Sequence, residues 1–364
     1  MATTTTTTTR TTPPKSPTLT RWYIDTRPLT ATANPTNLPL ITTLQPDDQA
    51  SIRRFHHLKD KHMSLASNLL KYLFIHRSCR IPWDRITLSR TPAPHRRPCF
   101  IPSATLLEST TTSTTTKAIP RIEFNVSHQA SLVALAGTTI PDPADGVPTE
   151  GIPQVGIDIT CTNERQPASR NSTTPEPPRD TFTNYVDIFA EVFSPEEIRL
   201  IKTLQPPTAH ETTTTTTTTA HTPQESSSDA GLEYSYRVFY AYWALKEAYI
   251  KMTGEALLAP WLRELEFAGV VAPEPAAPKT KVGEPYTGVR TTLHKQPVEE
   301  VRVEIVAFET DYLIATAARG PGIGARRGGG GADTAQQDSW EALREIDIER
   351  DVRPCAEGRC RCLE

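Results

Sequence analysis

Val238, Tyr242, Leu245, Tyr249 and Met252 recur at steps of four and three, which is the helical period and marks a packing face. Trp243, Glu247 and Lys251 follow one another along the neighbouring stripe, so this amphipathic helix carries a carboxylate and an amine beside its apolar side. Upstream, Phe55, Leu58, Met63, Leu65, Leu69, Tyr72 and Leu73 predict one helix or two short ones over 51–77, and Pro82 disfavours its continuation. Ile122, Phe124 and Val126 alternate, and 131–137 (SLVALAG) is a short apolar run, so two strands are predicted, joined by 127–130. The order then repeats. Residues 180–204 are helical in pattern, with Ser194 suited to an N-cap, Pro195 to the first turn and Glu196 and Glu197 to the positive end of the dipole. After the helix around Glu247, 301–308 alternates and 312–318 (YLIATAA) closes a hairpin across Glu309, Thr310 and Asp311. A helical stretch followed by a strand hairpin, twice, predicts an α+β protein of two similarly built halves with a cleft between them.

Residues 154–160, QVGIDIT, lie between the halves. Val155, Ile157 and Ile159 share one face of a strand and leave Gly156 and Asp158 on the other. Asp158 reads either as a solvent-facing strand residue or as a site carboxylate, with Gly156 letting another group approach the backbone beside it. Glu247 and Lys251 carry the same ambiguity, because an exposed pair four residues apart steadies a helix by roughly 0.2–0.5 kcal/mol and needs no further role.

Composition narrows the classes. Thirty-three prolines and threonine tracts at 3–9, 110–116 and 212–219 have no apolar period, so about two thirds of the 364 residues are expected to be ordered. The net charge of -3 gives no global attraction to nucleic acid or to an anionic membrane surface. No run approaches the ~18 apolar residues of a membrane helix, and the threonine-rich start lacks a secretory apolar segment, so a cytoplasmic protein is expected. Six cysteines are too few and too scattered for a disulfide framework. Cys355, Cys360 and Cys362 cluster near the end, but three thiols with no fourth ligand nearby favour free thiols over a metal site.

Taken in order, FNVSHQ (124–129), VGIDI (155–159), FSPEEI (193–198) and WALKEAYIK (243–251) resemble the 4′-phosphopantetheinyl transferases of the surfactin-synthetase-activating type, most closely their eukaryotic, broad-specificity branch. IPWDRITLSRTP (81–92) and HRRPCF (95–100) are similar to that family's coenzyme-binding segment, and the likeness spans about 20–320. The resemblance implies transfer of 4′-phosphopantetheine from coenzyme A to a serine of apo acyl or peptidyl carrier proteins, with release of 3′,5′-ADP. It implies Mg²⁺ held by Asp158, Glu247 and Gln129, since a hard cation must bridge the diphosphate oxygens. Glu247 would also take the serine proton, with Asp158 and Lys251 as its catalytic partners. For the coenzyme, the motif positions give Lys59, Arg90, Ser127, His128, Lys246 and Lys251, with Arg96 and Arg97 weaker candidates. Arg can grip phosphate through paired hydrogen bonds, whereas Lys59 and Lys246 also read as solvated surface charges.

The resemblance further implies a monomer and carriers on fatty-acid synthase, polyketide synthase, nonribosomal peptide synthetase and aminoadipate reductase, without nucleic-acid or membrane partners. Thr160 stands where bacterial members have a second acid, and His95-Arg96-Arg97-Pro98 replaces a Gly-Lys-Pro segment. The expected domains are a threonine-rich arm (1–19), an N-terminal half (20–153), a C-terminal half (154–320) with a threonine-rich insertion at about 205–231, and a glycine-rich linker and tail (321–364) in which 339–352 forms a short helix. Three other readings stand beside this one: a different coenzyme A-dependent transferase, a catalytically degenerate carrier-binding or coenzyme A-binding relative, and a threonine- and proline-rich interaction protein.

Overall fold

The computed structural model is described for residues 19–32, 38–92, 95–104, 106, 119–140, 153–163, 178–204, 226–255, 259–277, 279–320 and 341–363. The three threonine tracts fall outside these residues.

Alternating strands require two faces to be covered, and the chain meets that requirement with four layers: helix, sheet, sheet, helix. In the first sheet β1 (Leu19–Asp25) pairs antiparallel with β5 (Leu132–Ile140), and β5 with β4 (Arg121–Gln129). In the second, β11 (Tyr312–Arg319) lies between β10 (Val301–Phe308) and β6 (Gln154–Cys161), antiparallel to both. The inner faces meet through Leu132, Ala134 and Ala136 of one sheet and Val155, Ile157, Ile159, Val306 and Ile314 of the other. On the outer faces, α3 (Leu58–Cys79) packs Leu69, Leu73 and Phe74 against Trp22, Phe124 and Leu135. The long helix α6 (Ser226–Thr253) packs Leu245, Ala248 and Met252 against Val303, Leu313 and Ala315.

At one margin β4 and β6 are joined by side chains rather than by a backbone ladder. The Ile157 amide donates to Asn125 Oδ1 at 3.3 Å and the Ile159 amide to Ser127 Oγ at 3.2 Å. Elsewhere the halves are tied by a buried Arg21–Glu304 ion pair and by Tyr312, whose hydroxyl donates to the Ala130 carbonyl.

Local bounds differ from the expectation. Of the two alternatives for the 51–77 stretch the structure takes two helices, α2 (Pro46–Arg53) and α3, but α2 begins earlier and α3 is long, running on to Cys79, where Arg80 takes a left-handed turn. The 180–204 pattern breaks into α4 (Pro178–Asp187) and α5 (Pro195–Thr203), and Ser194 forms a reciprocal capping box with Glu197. The first hairpin turns only at Ala130 and Ser131, both at positive φ, so the strands reach Gln129 and restart at Leu132. That turn lacks the Asn or Gly that usually marks it, and tertiary hydrogen bonds to the Ala130 and Ser131 carbonyls hold it instead.

The tail departs furthest from expectation. In place of a helix over 339–352, β12 (Arg344–Glu345) adds parallel to β1, followed by a π-helical turn (Ile348–Val352) and the short α7 (Arg353–Ala356). Ile346, Ile348, Val352 and Cys355 enter the core of the first half. The chain thus returns to its own beginning. Among the described residues, no helix is long and apolar enough to cross a membrane.

Gly156 sets the spacing of the outer layer. A Cβ there would lie 2.1 Å from the Ala248 carbonyl oxygen and 2.4 Å from the Met252 amide nitrogen, both backbone atoms that cannot swing aside. Gly156→Ala should therefore cost about 3 kcal/mol or more, read as a lowered denaturation midpoint, whereas an ordinary overpacking substitution costs about 1–3.

Candidate active site

Alternation along β6 puts Gly156, Asp158 and Thr160 toward α6, opposite the apolar positions. Because α6 seats directly on Gly156, Asp158 comes under the helix stripe that carries Glu247 and Lys251. Asp158 is buried, and its carboxylate is held from three sides. Ser127 Oγ donates to Oδ1 at 3.0 Å, Thr160 Oγ1 to Oδ2 at 3.0 Å and Lys251 Nζ to Oδ1 at 2.5 Å. Lys251 also donates to Ser127 Oγ at 3.0 Å. Ser127 is therefore fully engaged: it donates to Asp158 and accepts from Lys251 and Ile159.

Glu247 is half-buried nearby, and its carboxyl is pushed up to about 7, first by burial and then by the Asp158 charge, with Lys251 opposing. Two carboxylates that repel each other in a partly dry site, with hydroxyl donors fixing one of them, form a donor set suited to a hard divalent cation. Gln129 lies two residues beyond Ser127 on the same strand and is half-buried. By strand alternation it shares the face of Ser127.

Adjacent to this group is a cavity of about 340 Å³ whose lining includes Lys71, Arg90 and His128, the hydroxyls of Ser67 and Ser89, and two acids, Asp48 and Asp60. The chain connects the two places through a single peptide, since Ser127 faces Asp158 while His128 lines the cavity. The His128 ring is exposed toward solvent, yet crowding and then the charges of Lys251 and Lys71 hold it below the usual histidine range. Arg90 is exposed beside it and donates to the Arg96 carbonyl.

Lys71 is the residue that sequence reasoning missed. It lies within the apolar run of α3, where periodicity draws attention to Leu69, Tyr72 and Leu73 and gives no signal for an amine that lines the cavity. Burial pushes its ammonium down to about 8, with Asp48 opposing and Arg90 adding to the shift.

Two family models match the chain: 4′-phosphopantetheinyl transferase, N-terminal, over residues 34–140, and the 4′-phosphopantetheinyl transferase superfamily over 154–317. The chain is 55% identical to 4′-phosphopantetheinyl transferase A of Aspergillus fumigatus, covering 96% of this chain and 97% of that protein. It is equally similar, at 55% and with the same coverage, to 4′-phosphopantetheinyl transferase NpgA of Emericella nidulans. The chain belongs to the 4′-phosphopantetheinyl transferase family. More distantly, it is 24% identical to an L-aminoadipate-semialdehyde dehydrogenase-phosphopantetheinyl transferase of Rattus norvegicus over 77% of this chain and 69% of that one.

The transferase brings together Asp158, Glu247, Lys251, Ser127 and, through the adjoining cavity, His128 and Arg90. Other expected coenzyme residues go elsewhere. Lys59 is exposed in the first turn of α3 and is not part of the cavity lining. Arg96 is exposed at positive φ. Arg97 acts as a strap: it donates to the Met252 and Val155 carbonyls, both at 3.3 Å, and faces Glu123 at 3.5 Å. His95 joins it by donating from Nδ1 to the Gly254 carbonyl at 2.7 Å, so the His-Arg-Arg-Pro segment clasps the C-terminal end of α6.

Lys246 is neither solvated nor in the site. It is fully buried, with Nζ 2.9 Å from Glu197 and donating to the Leu262 and Leu265 carbonyls. Glu197 in turn accepts from the Ser194 and Phe267 amides. Burial works against the charge on both partners, and these hydrogen bonds with the mutual attraction offset it. The FSPEEI motif is thus explained as an N-cap whose glutamate anchors the helix carrying Glu247.

Lys246→Ala strands the Glu197 carboxylate and should lower stability by about 3–5 kcal/mol in chemical denaturation, while the folded fraction binds polyphosphate as the parent does. Lys71→Met should do the reverse. The unfolded chain holds the Lys71 proton up to about 10.5 and the folded chain only to about 8, so stability rises with pH between these values and carries a penalty below them. Removing the amine should leave the pH 7 melting temperature equal or higher, yet weaken 3′,5′-ADP binding about tenfold by calorimetry. In the parent, that binding should decline as pH rises past about 8.

Proposed function

We propose that this transferase takes 4′-phosphopantetheine from coenzyme A and attaches it to a serine hydroxyl of apo acyl and peptidyl carrier proteins. The observation that carries this reading is Asp158 held by Lys251 and Ser127 with Glu247 close enough to feel its charge, joined through Ser127 and His128 to a cavity with Lys71 and Arg90. The coenzyme's nucleotide phosphates are polyanionic, and that cavity supplies the cationic and hydroxyl groups they require. Asp158 and Glu247, with Gln129, would hold Mg²⁺, which as a Lewis acid offsets the diphosphate charge that repels an incoming oxygen.

The protein's own groups then divide the work. Ser127 and Thr160 fix the Asp158 carboxylate so that it needs no reorganisation on binding. Glu247 accepts the proton of the carrier serine, directly or through water, as that oxygen attacks the phosphorus. Lys251, already at the carboxylate, offsets charge on the departing phosphate. Broad use on fatty-acid, polyketide, nonribosomal-peptide and aminoadipate-reductase carriers, a monomeric state and a cytoplasmic location belong to the same proposal. One support for it is the similarity to both the fungal transferases and the aminoadipate-related one.

The test is the intact mass of an apo acyl carrier protein after incubation with the transferase, coenzyme A and Mg²⁺. The carrier should gain the mass of one phosphopantetheine, and Glu247→Gln and Asp158→Asn should each lower the rate by at least about a hundredfold. Coenzyme A binding without mass gain on several carriers would instead identify a degenerate carrier- or coenzyme-binding relative.

A further inference from the structure

The three tail thiols lacked a fourth partner in the sequence, and the fold supplies one. His76, near the end of α3, meets Cys355, Cys360 and Cys362 so closely that one donor atom from each lies within 4.8 Å of all the others. The Sγ atoms of Cys355 and Cys362 are 3.7 Å apart, and His76 Nε2 is 3.1 Å from Cys360 Sγ. Tetrahedral zinc with bonds of about 2.3 Å to sulfur and about 2.0–2.1 Å to nitrogen places its sulfurs about 3.8 Å apart and nitrogen about 3.6 Å from sulfur. The Cys355–Cys362 edge already has about that length, the His76–Cys360 edge is about half an ångström short, and the widest edge exceeds it by at most about 1 Å.

We propose that His76, Cys355, Cys360 and Cys362 form a structural zinc site that pins the C-terminal segment to the first half of the fold.

The surroundings are those of a ligand set. His76 Nδ1 lies 2.7 Å from the Ile81 carbonyl, an acceptor only, so Nδ1 carries the proton and Nε2 turns its lone pair toward the sulfurs. Trp83 packs its edge against the imidazole and holds the ring plane. The loop between the cysteines is built to return. Gly358 takes φ +68, its amide donates to the Cys355 carbonyl and the Arg359 amide to the Pro354 carbonyl, and this reversal brings Cys360 and Cys362 back beside Cys355. His76 and Cys355 are buried and the other two half-buried, so four protein ligands close the site with no open position for a substrate.

On binding, three thiol protons pass to solvent and the zinc–thiolate group keeps one net negative charge. Arg77, next to His76, donates to the Asp351 carbonyl at 2.9 Å and stands close enough to Cys355 to balance that charge. The site joins a helix of the first half to residues some 280 positions later, at the end of the segment that begins with β12 on β1. Its role is to hold that segment down.

The experiment uses the full chain, purified reduced and without chelator. Elemental analysis after desalting should find about one zinc per chain, and Co²⁺ substituted for it should show the intense thiolate charge-transfer band and d–d bands of a tetrahedral site. Cys360→Ser and His76→Gln should lose the metal, Cys99→Ser and Cys161→Ser should keep it, and stripping the parent with a chelator should lower its melting temperature by at least about 5 °C. Zinc below about 0.1 per chain together with no tetrahedral Co²⁺ spectrum would overturn the proposal. So would zinc retained undiminished in a Cys360→Ser, Cys362→Ser double variant, or a Cys355–Cys362 disulfide in protein kept reduced. Should the variants fail to fold, the Co²⁺ spectrum of the parent decides alone.

Discussion

Everything at the site depends on how closely one helix can approach one strand. Gly156 leaves no side chain between β6 and α6, and the helix backbone fills the space a Cβ would occupy. The next residue on that face, Asp158, then comes under the stripe of Glu247 and Lys251, and a strand carboxylate and a helix carboxylate share one partly dry region. Proximity of like charges is costly, so it persists only where the flanking structure holds both elements rigidly. The His-Arg-Arg-Pro strap across the end of α6, the Lys246–Glu197 pair beside Glu247 and the apolar seam along its length supply that rigidity.

The join between the halves is itself part of the chemistry. Sheets normally meet edge to edge through a backbone ladder, but here Asn125 and Ser127 reach across with side chains, and Ser127 goes on to position Asp158 and Lys251. One hydroxyl links the strand that reaches the cavity to the strand that bears the carboxylate. A displacement of one half against the other would therefore be felt first at the reacting groups. The returning C-terminal segment adds a further restraint on the first half, through β12 and the core residues that follow it.

Several residues were misplaced by sequence reasoning for identifiable reasons. Lys246 and Lys251 are both amines on one helix, and helical spacing says only that they point in different directions. That Lys246 meets a buried glutamate depends on where α5 docks, which no local pattern specifies. Arg97 was a coenzyme candidate through the resemblance of its segment, and its guanidinium donates to backbone carbonyls of two other elements. Lys71 was hidden by its own neighbours, since a lysine within an apolar helical run reads as the edge of the packing face.

What the sequence by itself determined was local: the strand alternation around Asp158, the N-cap at Ser194, the helix stripe of Glu247 and Lys251, and an α+β plan of two halves. These are properties of short windows, where period and capping chemistry act over a few residues. The tertiary structure alone decided which charges meet. It paired Lys251 with Asp158 across 93 positions, gave Lys246 to Glu197, and carried His76 to three cysteines at the far end of the chain. Such contacts are fixed by the packing of whole layers, and the information for them is spread over every residue that shapes those layers.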